Sequence, residues 1–120
     1  MTIMAGQAPN VTRLPARELS RLVMAATRRP CIAPDANPED WFKPEPRRRD
    51  YPDDDEAYAA ACERYEYTAR ALCRFCPVEL ECLERAIQQE GPRPGSGIAG
   101  GQAPWQRQAI KASRGMAVTR

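Results

Sequence analysis

Histidine is absent from this 120-residue chain, and no apolar run approaches the roughly 20 residues that span a bilayer. The lack of histidine removes the commonest general base in enzymes and every zinc motif that combines Cys with His. Large apolar side chains are also few, because 19 of the hydrophobic residues are alanine. We therefore expect a small domain that is stabilised by something besides a hydrophobic core.

The sequence predicts a cytoplasmic protein that has no membrane segment. Residues 1–7 lack the basic start and the apolar stretch of a signal peptide. In a reducing compartment, the five cysteines favour a metal site or redox chemistry over structural disulfides.

Acidic residues are missing from the end of the chain, although the formal charge of the whole chain is only +2. Residues 1–90 have 13 basic and 16 acidic groups, whereas residues 91–120 have five basic groups and no acidic group. This asymmetry predicts a basic C-terminal arm.

A helix that begins at Pro104 and ends before Gly115 accounts for most of this arm. We interpret residues 103–120 as a basic C-terminal helix and tail, which either contacts DNA phosphates or serves only as a solvated basic face. The candidate DNA-binding side chains share one face of the helix, and they are Arg107, Lys111 and Arg114.

The spacing of apolar residues predicts three further helices and no strand, which places the chain in the all-α class. The first helix follows Pro15 and ends before Pro30. The longest begins at the acidic residues 53–56, whose carboxylates suit a helix N-terminus, and ends before Pro77. The next begins with Pro77 and ends at Gly91.

Four of the five cysteines form the pattern C-x41-C-x2-C-x5-C. Three of them lie at the predicted corner between two helices, where their sulfurs can converge. Four thiolates without His suit either tetrahedral zinc or a [4Fe-4S] cluster, and ligand identity alone does not separate the two. The candidate ligands are Cys31, Cys73, Cys76 and Cys82.

Two further predictions concern individual thiols. Cys76 directly precedes the predicted first residue of a helix, so the helix dipole should favour its thiolate form. Cys62 precedes Cys73 on one predicted helix, about 16 Å away at a rise of 1.5 Å per residue. We therefore exclude Cys62 from the site and interpret it as a core residue.

A thiol–disulfide oxidoreductase that uses Cys73 and Cys76 is the enzymatic alternative. Such a motif usually lies at the start of a helix in a fold with strands, whereas here it closes a helix and no strand precedes it. We therefore expect a protein that is not an enzyme. A structural four-cysteine zinc module stays open as a second alternative.

Three stretches of the sequence resemble the WhiB-like proteins of actinobacteria and their phages. They are the link from Cys31 to Trp41 and Phe42, the segment 73–83 (CRFCPVELECL) and the segment 97–101 (GIAGG). The resemblance covers about residues 30–112.

The resemblance implies a small, mostly helical [4Fe-4S] protein that responds to redox change and nitric oxide and regulates transcription. It implies binding to region 4 of the primary sigma factor in RNA polymerase holoenzyme, and contact with promoter DNA through the C-terminal segment. The iron–sulfur domain would span residues 14–102, after a disordered segment at residues 1–13. The partner-binding residues would be Trp41, Phe42, Ile98, Gly100, Gly101 and Trp105.

One departure from the family concerns the expected partner surface. Ala99 stands where the family usually has a Trp that packs toward the cluster and the sigma factor. We expect Trp105, six residues further on, to supply the missing aromatic surface; the alternative is that sigma binding is weak or lost.

Overall fold

The computed structural model describes residues 10–119, which form four α-helices joined by loops and short 3-10 turns. The only β pairing in this part of the chain is an isolated bridge between Ala99 and Gln102. The prediction of an all-α fold with four helices is therefore confirmed. The helices are α1 (Ala16–Ala25), α2 (Asp55–Cys73), α3 (Glu79–Glu90) and α4 (Pro104–Ser113).

The predicted N-terminal segment falls mostly beyond this range. Residues 1–9 lie outside the described residues, and Val11–Arg13 forms a 3-10 turn that Asn10 caps. No helix among residues 10–119 has both the length and the apolar character needed to cross a membrane.

Helix α2 begins where its acidic residues predict. The Asp54 carboxylate accepts the backbone N–H of Ala57 at 3.0 Å, which caps the first turn. Asp55 and Glu56 follow in that turn, where negative charge interacts favourably with the helix dipole. The helix then continues without a break to Cys73.

Helix α3 begins two residues later than predicted. Its first residue is Glu79 and its N-cap is Val78, so Pro77 lies in the link between the helices. In this link the backbone N–H of Cys76 donates to the Cys73 carbonyl at 3.1 Å. Cys76 is therefore not at the start of a helix, contrary to the prediction.

The core forms along one face of α2, where Ala61, Tyr65, Ala69 and Cys73 recur at steps of four and are all buried. Against this face pack the buried residues Trp41, Ile98 and Ala103, which come from three other parts of the chain. Helix α1 packs instead beside α3, where Arg85 Nε donates to Ser20 Oγ at 3.1 Å.

Residues 96–102 form a tight turn between α3 and α4, which we call the glycine turn. Ala99 and Gln102 exchange backbone hydrogen bonds of 3.2 and 3.0 Å across it. The backbone N–H of Ile98 donates to the Trp41 carbonyl at 2.7 Å, which ties the turn to the core. The turn also lies against the end of α2 and the first half of α3, because a Cβ added to Gly101 would lie 3.7 Å from Cys73 Cβ and one added to Gly100 would lie 2.4 Å from Leu83 Cβ.

Candidate metal centre

The four predicted ligand cysteines line one cavity of about 270 Å³. Cys31 comes from a 3-10 turn (Pro30–Ile32), Cys73 ends α2, Cys76 lies in the link, and Cys82 lies in the first turn of α3. The rest of the lining is mainly apolar and includes Trp41, Leu72 and Ile98. The fold thus brings together thiols that are up to 51 residues apart in the sequence.

Burial governs the acidity of these thiols. It raises the pKa of Cys73, Cys76 and Cys82 above the usual value, because a thiolate loses its hydration inside the protein. The prediction that Cys76 favours its thiolate form is therefore wrong, since desolvation outweighs the local hydrogen bond. Bound metal would reverse this balance by stabilising the thiolate.

Backbone N–H groups surround the buried sulfurs. The N–H groups of Gly101, Val78 and Gly100 donate to the sulfurs of Cys73, Cys76 and Cys82 respectively, and each bond lowers the pKa of its thiol. The Trp41 side chain also donates to Cys73. Each of these donors would stabilise negative charge on a ligand sulfur.

This donor set fits an iron–sulfur cluster. The four sulfurs line the wall of one cavity, and N–H groups already point at three of them. Among residues 10–119, no three Cys, Asp or Glu side chains are arranged around the position of a single metal ion. If the chain holds a cluster, the four cysteines that share this cavity are the residues that would bind it.

The fifth cysteine lies elsewhere. Cys62 is half-buried on α2, does not line the cavity, and hydrogen-bonds to Tyr58. Because α2 is unbroken, the helical rise keeps Cys62 about 16 Å from Cys73 along the axis. Cys62 is not among the buried core residues, so its interpretation as a core residue is only partly right.

Most of the predicted partner-binding residues are not on the surface. Trp41 and Ile98 are buried in the core, and Gly100 and Gly101 are buried in the glycine turn. Three of them, Trp41, Ile98 and Gly100, line the cysteine cavity. The partner-binding role of all four stays a prediction. Only Phe42 presents its side chain to solvent, with 71% exposed.

Trp105 is also occupied within the molecule. Its ring packs on Tyr65 with a centroid distance of 5.2 Å, and its Nε1 donates to Glu66 Oε2 at 2.5 Å. It is half-buried, so it offers much less free aromatic surface than the prediction requires.

Several exposed apolar side chains accompany the cysteines, and sequence reasoning identified only Phe42 among them. Phe42 lines the cavity itself. The others are neighbours of ligand cysteines in the sequence: Ile32 follows Cys31, Phe75 precedes Cys76, and Leu80 lies between Cys76 and Cys82. We call this set the apolar rim, and it consists of Ile32, Phe42, Phe75 and Leu80, all more than half exposed.

The predicted DNA-binding face of α4 is corrected by the structure. Arg107 and Lys111 are completely buried, and both pair with Glu90 at the end of α3, at 2.8 and 2.9 Å. Arg114 forms a two-point pair with Glu84, although part of its side chain stays exposed. The basic face points inward because α3 supplies the carboxylates that the C-terminal segment itself lacks.

One of three comparisons with known proteins found a match. The family model described as "Transcription factor WhiB" matches residues 27–110, a range that contains all four cavity cysteines and the glycine turn. Neither the curated proteins nor the solved structures gave a match.

Proposed function

Since this chain belongs to the WhiB family of transcription factors, we propose that it is a cytoplasmic [4Fe-4S] regulator that acts through the primary sigma factor. The observation that carries the proposal is the shared cavity of Cys31, Cys73, Cys76 and Cys82. A [4Fe-4S] cluster held there would supply a centre that reacts with oxidants and nitric oxide. The protein's own contribution is to bind the cluster, to direct N–H groups at its ligand sulfurs, and to surround it with apolar side chains.

The cofactor is tested by purifying the protein without oxygen and measuring its visible spectrum, iron, sulfide and zinc. A brown protein with about four iron and four sulfide per chain supports the proposal. A colourless protein that holds one zinc per chain would instead establish the structural zinc module. A metal-free protein that exchanges thiols through Cys73 and Cys76 would establish the oxidoreductase.

The apolar rim supports the proposal of a protein partner. Phe42 lines the cavity, and the other three are sequence neighbours of its cysteines. Exposed apolar side chains in such a set mark sites of protein interaction. The partner that the family resemblance indicates is region 4 of the primary sigma factor. On this proposal the sigma factor covers the cavity and shields the cluster from solvent.

The partner is tested with Phe42→Ala and a matched control, Met24→Ala. Met24 is 63% exposed on α1 and does not line the cavity, so its replacement removes a similar exposed apolar surface elsewhere. Phe42→Ala should weaken sigma binding by the cluster-loaded protein at least about tenfold, as expected for an interface anchor, whereas Met24→Ala should not. Equal affinities for both variants would place the sigma contact outside the rim.

Direct promoter contact needs basic groups other than the buried pair on α4. Arg70 lies in the last turn of α2 and Arg74 directly follows the helix. Both are exposed, and no carboxylate among residues 10–119 forms an ion pair with them. They line a cavity of about 390 Å³ together with Glu79 and the glycine turn. We propose that they contact DNA phosphates when the sigma factor brings the protein to a promoter.

This contact is tested by the double variant Arg70→Ala/Arg74→Ala in the complex with sigma factor and promoter. The control is Arg49→Ala/Arg64→Ala, which removes the same charge from exposed positions that line neither the cysteine cavity nor the neighbouring one. Loss of two phosphate contacts should reduce the slope of log affinity against log salt by about 2. Equal slopes for the two variants would show that Arg70 and Arg74 do not contact the DNA.

A further inference from the structure

We propose that Arg107 is a positioning residue for the cysteine site. Its buried guanidinium holds the glycine turn in the conformation that directs the N–H groups of Gly100 and Gly101 at the sulfurs of Cys82 and Cys73. The part of this inference that concerns a bound cluster rests on the proposed function. The part that concerns the turn itself does not.

The guanidinium of Arg107 contacts the turn at both of its ends. Nη1 donates to the carbonyls of Gly97 and Gln102, at 3.1 and 2.7 Å, and Nη2 donates to the Ser96 carbonyl at 3.4 Å. Nε donates to Glu90 Oε2 at 2.8 Å. One completely buried side chain therefore joins the start of the turn, the end of the turn and the last residue of α3.

The opposite side of the turn faces the cysteines. Gly100 lines the cysteine cavity together with Cys73 and Cys82, and a Cβ added to Gly101 would lie 3.7 Å from Cys73 Cβ. Hydrogen bonding by the Gly101 N–H lowers the pKa of Cys73, and hydrogen bonding by the Gly100 N–H lowers the pKa of Cys82. Both peptide groups lie between the carbonyls of Gly97 and Gln102 that Arg107 holds. A rotation of the turn that broke the bonds to Arg107 would therefore also redirect the two N–H groups that face the sulfurs.

Lys111 reinforces this arrangement from the next turn of α4. Its Nζ donates to Glu90 Oε1 at 2.9 Å, to the Arg93 carbonyl at 3.0 Å and to Gln108 Oε1 at 2.8 Å. Both oxygens of the Glu90 carboxylate are thus engaged by buried cations. Because an unpaired buried charge is costly, this network strongly favours a single geometry.

The geometry of arginine is essential to this role. A guanidinium presents five N–H donors in a rigid planar fork, whereas a lysine ammonium is a compact point charge with three donors. Arg107→Lys keeps the positive charge near Glu90 but cannot hold both ends of the turn. The substitution therefore tests the contacts with the glycine turn separately from the ion pair with Glu90.

Helix α4 offers a matched control in Arg114→Lys. Arg114 forms a two-point pair with the buried Glu84 of α3, at 2.9 and 2.6 Å, and makes no hydrogen bond to the glycine turn. This control makes the same Arg-to-Lys change on the same helix, and it also disturbs an ion pair between α4 and α3. It leaves the contacts between Arg107 and the turn in place.

The test compares both variants with the unsubstituted protein, loaded with cluster and kept free of oxygen. Arg107→Lys should release iron to a chelator about 10- to 100-fold faster, the effect expected when an outer partner of a metal ligand is lost. Its reduction potential should also become more negative, because hydrogen bonds to the ligand sulfurs are weakened. Arg114→Lys should change neither quantity. Equal changes in both variants, or no change in Arg107→Lys, would overturn the proposal.

Hydrogen–deuterium exchange of peptides that cover residues 96–102 gives a readout that needs no cluster. In metal-free protein, this segment should exchange faster in Arg107→Lys than in Arg114→Lys, and equal rates would overturn the positioning role. A failure to bind any cluster in the unsubstituted protein would refute the proposed function and leave this comparison valid.

If Arg107→Lys does not fold, exchange is measured in the unsubstituted protein at increasing urea. Residues 96–102 and 103–113 should then lose protection from exchange at the same urea concentration, because Arg107 joins the two segments. Independent opening of the turn would overturn the proposal.

Discussion

Replacing Gly100 by Ala tests how closely the glycine turn approaches α3. Gly100 has a φ of +57°, a conformation that side chains rarely adopt. An added Cβ would lie 2.4 Å from Leu83 Cβ, 2.6 Å from Leu83 Cα and 2.7 Å from Leu83 N. Two of these atoms belong to the helix backbone, which cannot move aside as the end of a side chain can.

The expected loss has two parts. Positive φ costs an L residue about 1–2 kcal/mol, and overpacking costs typically about 1–3 kcal/mol more. We therefore expect Gly100→Ala to lower the free energy of unfolding by about 2–5 kcal/mol, a large part of the roughly 5–15 kcal/mol of a typical domain. Gly115→Ala is the matched control, because its φ is +75° but nothing lies within 4 Å of the added Cβ. Gly115→Ala should therefore lose only the cost of positive φ, about 1–2 kcal/mol.

The assay is urea unfolding of both variants, followed by far-ultraviolet circular dichroism without oxygen. With a slope of about 1–3 kcal/mol per molar urea, the midpoint of Gly100→Ala should lie clearly below that of Gly115→Ala. Equal midpoints would show that the turn does not press on α3, and the geometry derived for the N–H donors to Cys73 and Cys82 would then be wrong.

Three further predictions concern the thiols and the core. Cys→Ser at position 31, 73, 76 or 82 should each abolish or strongly reduce anaerobic iron and sulfide content, and full content in one variant would remove that residue from the site. Cys62→Ala should keep full iron content and lose at most about 1–3 kcal/mol of stability, as measured by urea unfolding. Burial, followed by the charge of Glu45, raises the pKa of Tyr65 to about 12. An unfolded Tyr ionises near pH ~10, so stability should fall between about pH 10 and 12, and Tyr65→Phe should lack this fall.

Local features of the sequence predicted the helices and the four cysteines that share one cavity. Asp54 caps α2 through its own side chain, and Pro104 begins α4 with the fixed φ of its ring, so both boundaries depend on residues within one turn. The four cysteines could be selected as candidate ligands because their spacing, the absence of His and the length of α2 separate them from Cys62. The sequence predicts the start of α3 two residues too early, because a proline such as Pro77 is compatible with the first turn of a helix but does not require a helix to begin there.

The positions of Arg107 and Lys111 could not be predicted in this way. The sequence correctly predicts that both residues share one face of the helix. The direction of that face depends on Glu90 of α3, which comes close to it only because the chain reverses at the glycine turn. Trp41 is a similar case, because its bond to Cys73 joins residues 32 positions apart. Charge counts along a chain cannot show which charges become neighbours in space.

The long interval between Cys31 and Cys73 has a consequence in terms of polymer entropy. A cluster bound to both residues would act as a cross-link that closes a loop containing 41 intervening residues. For a loop of this length, the lost freedom of the unfolded chain corresponds to about 4 kcal/mol at room temperature, if a cluster constrains the chain as a disulfide does. Destruction of the cluster would return this entropy to the unfolded chain and lower the free energy of unfolding by about the same amount. A chemical signal at the metal would thus become a change in the stability of the whole fold.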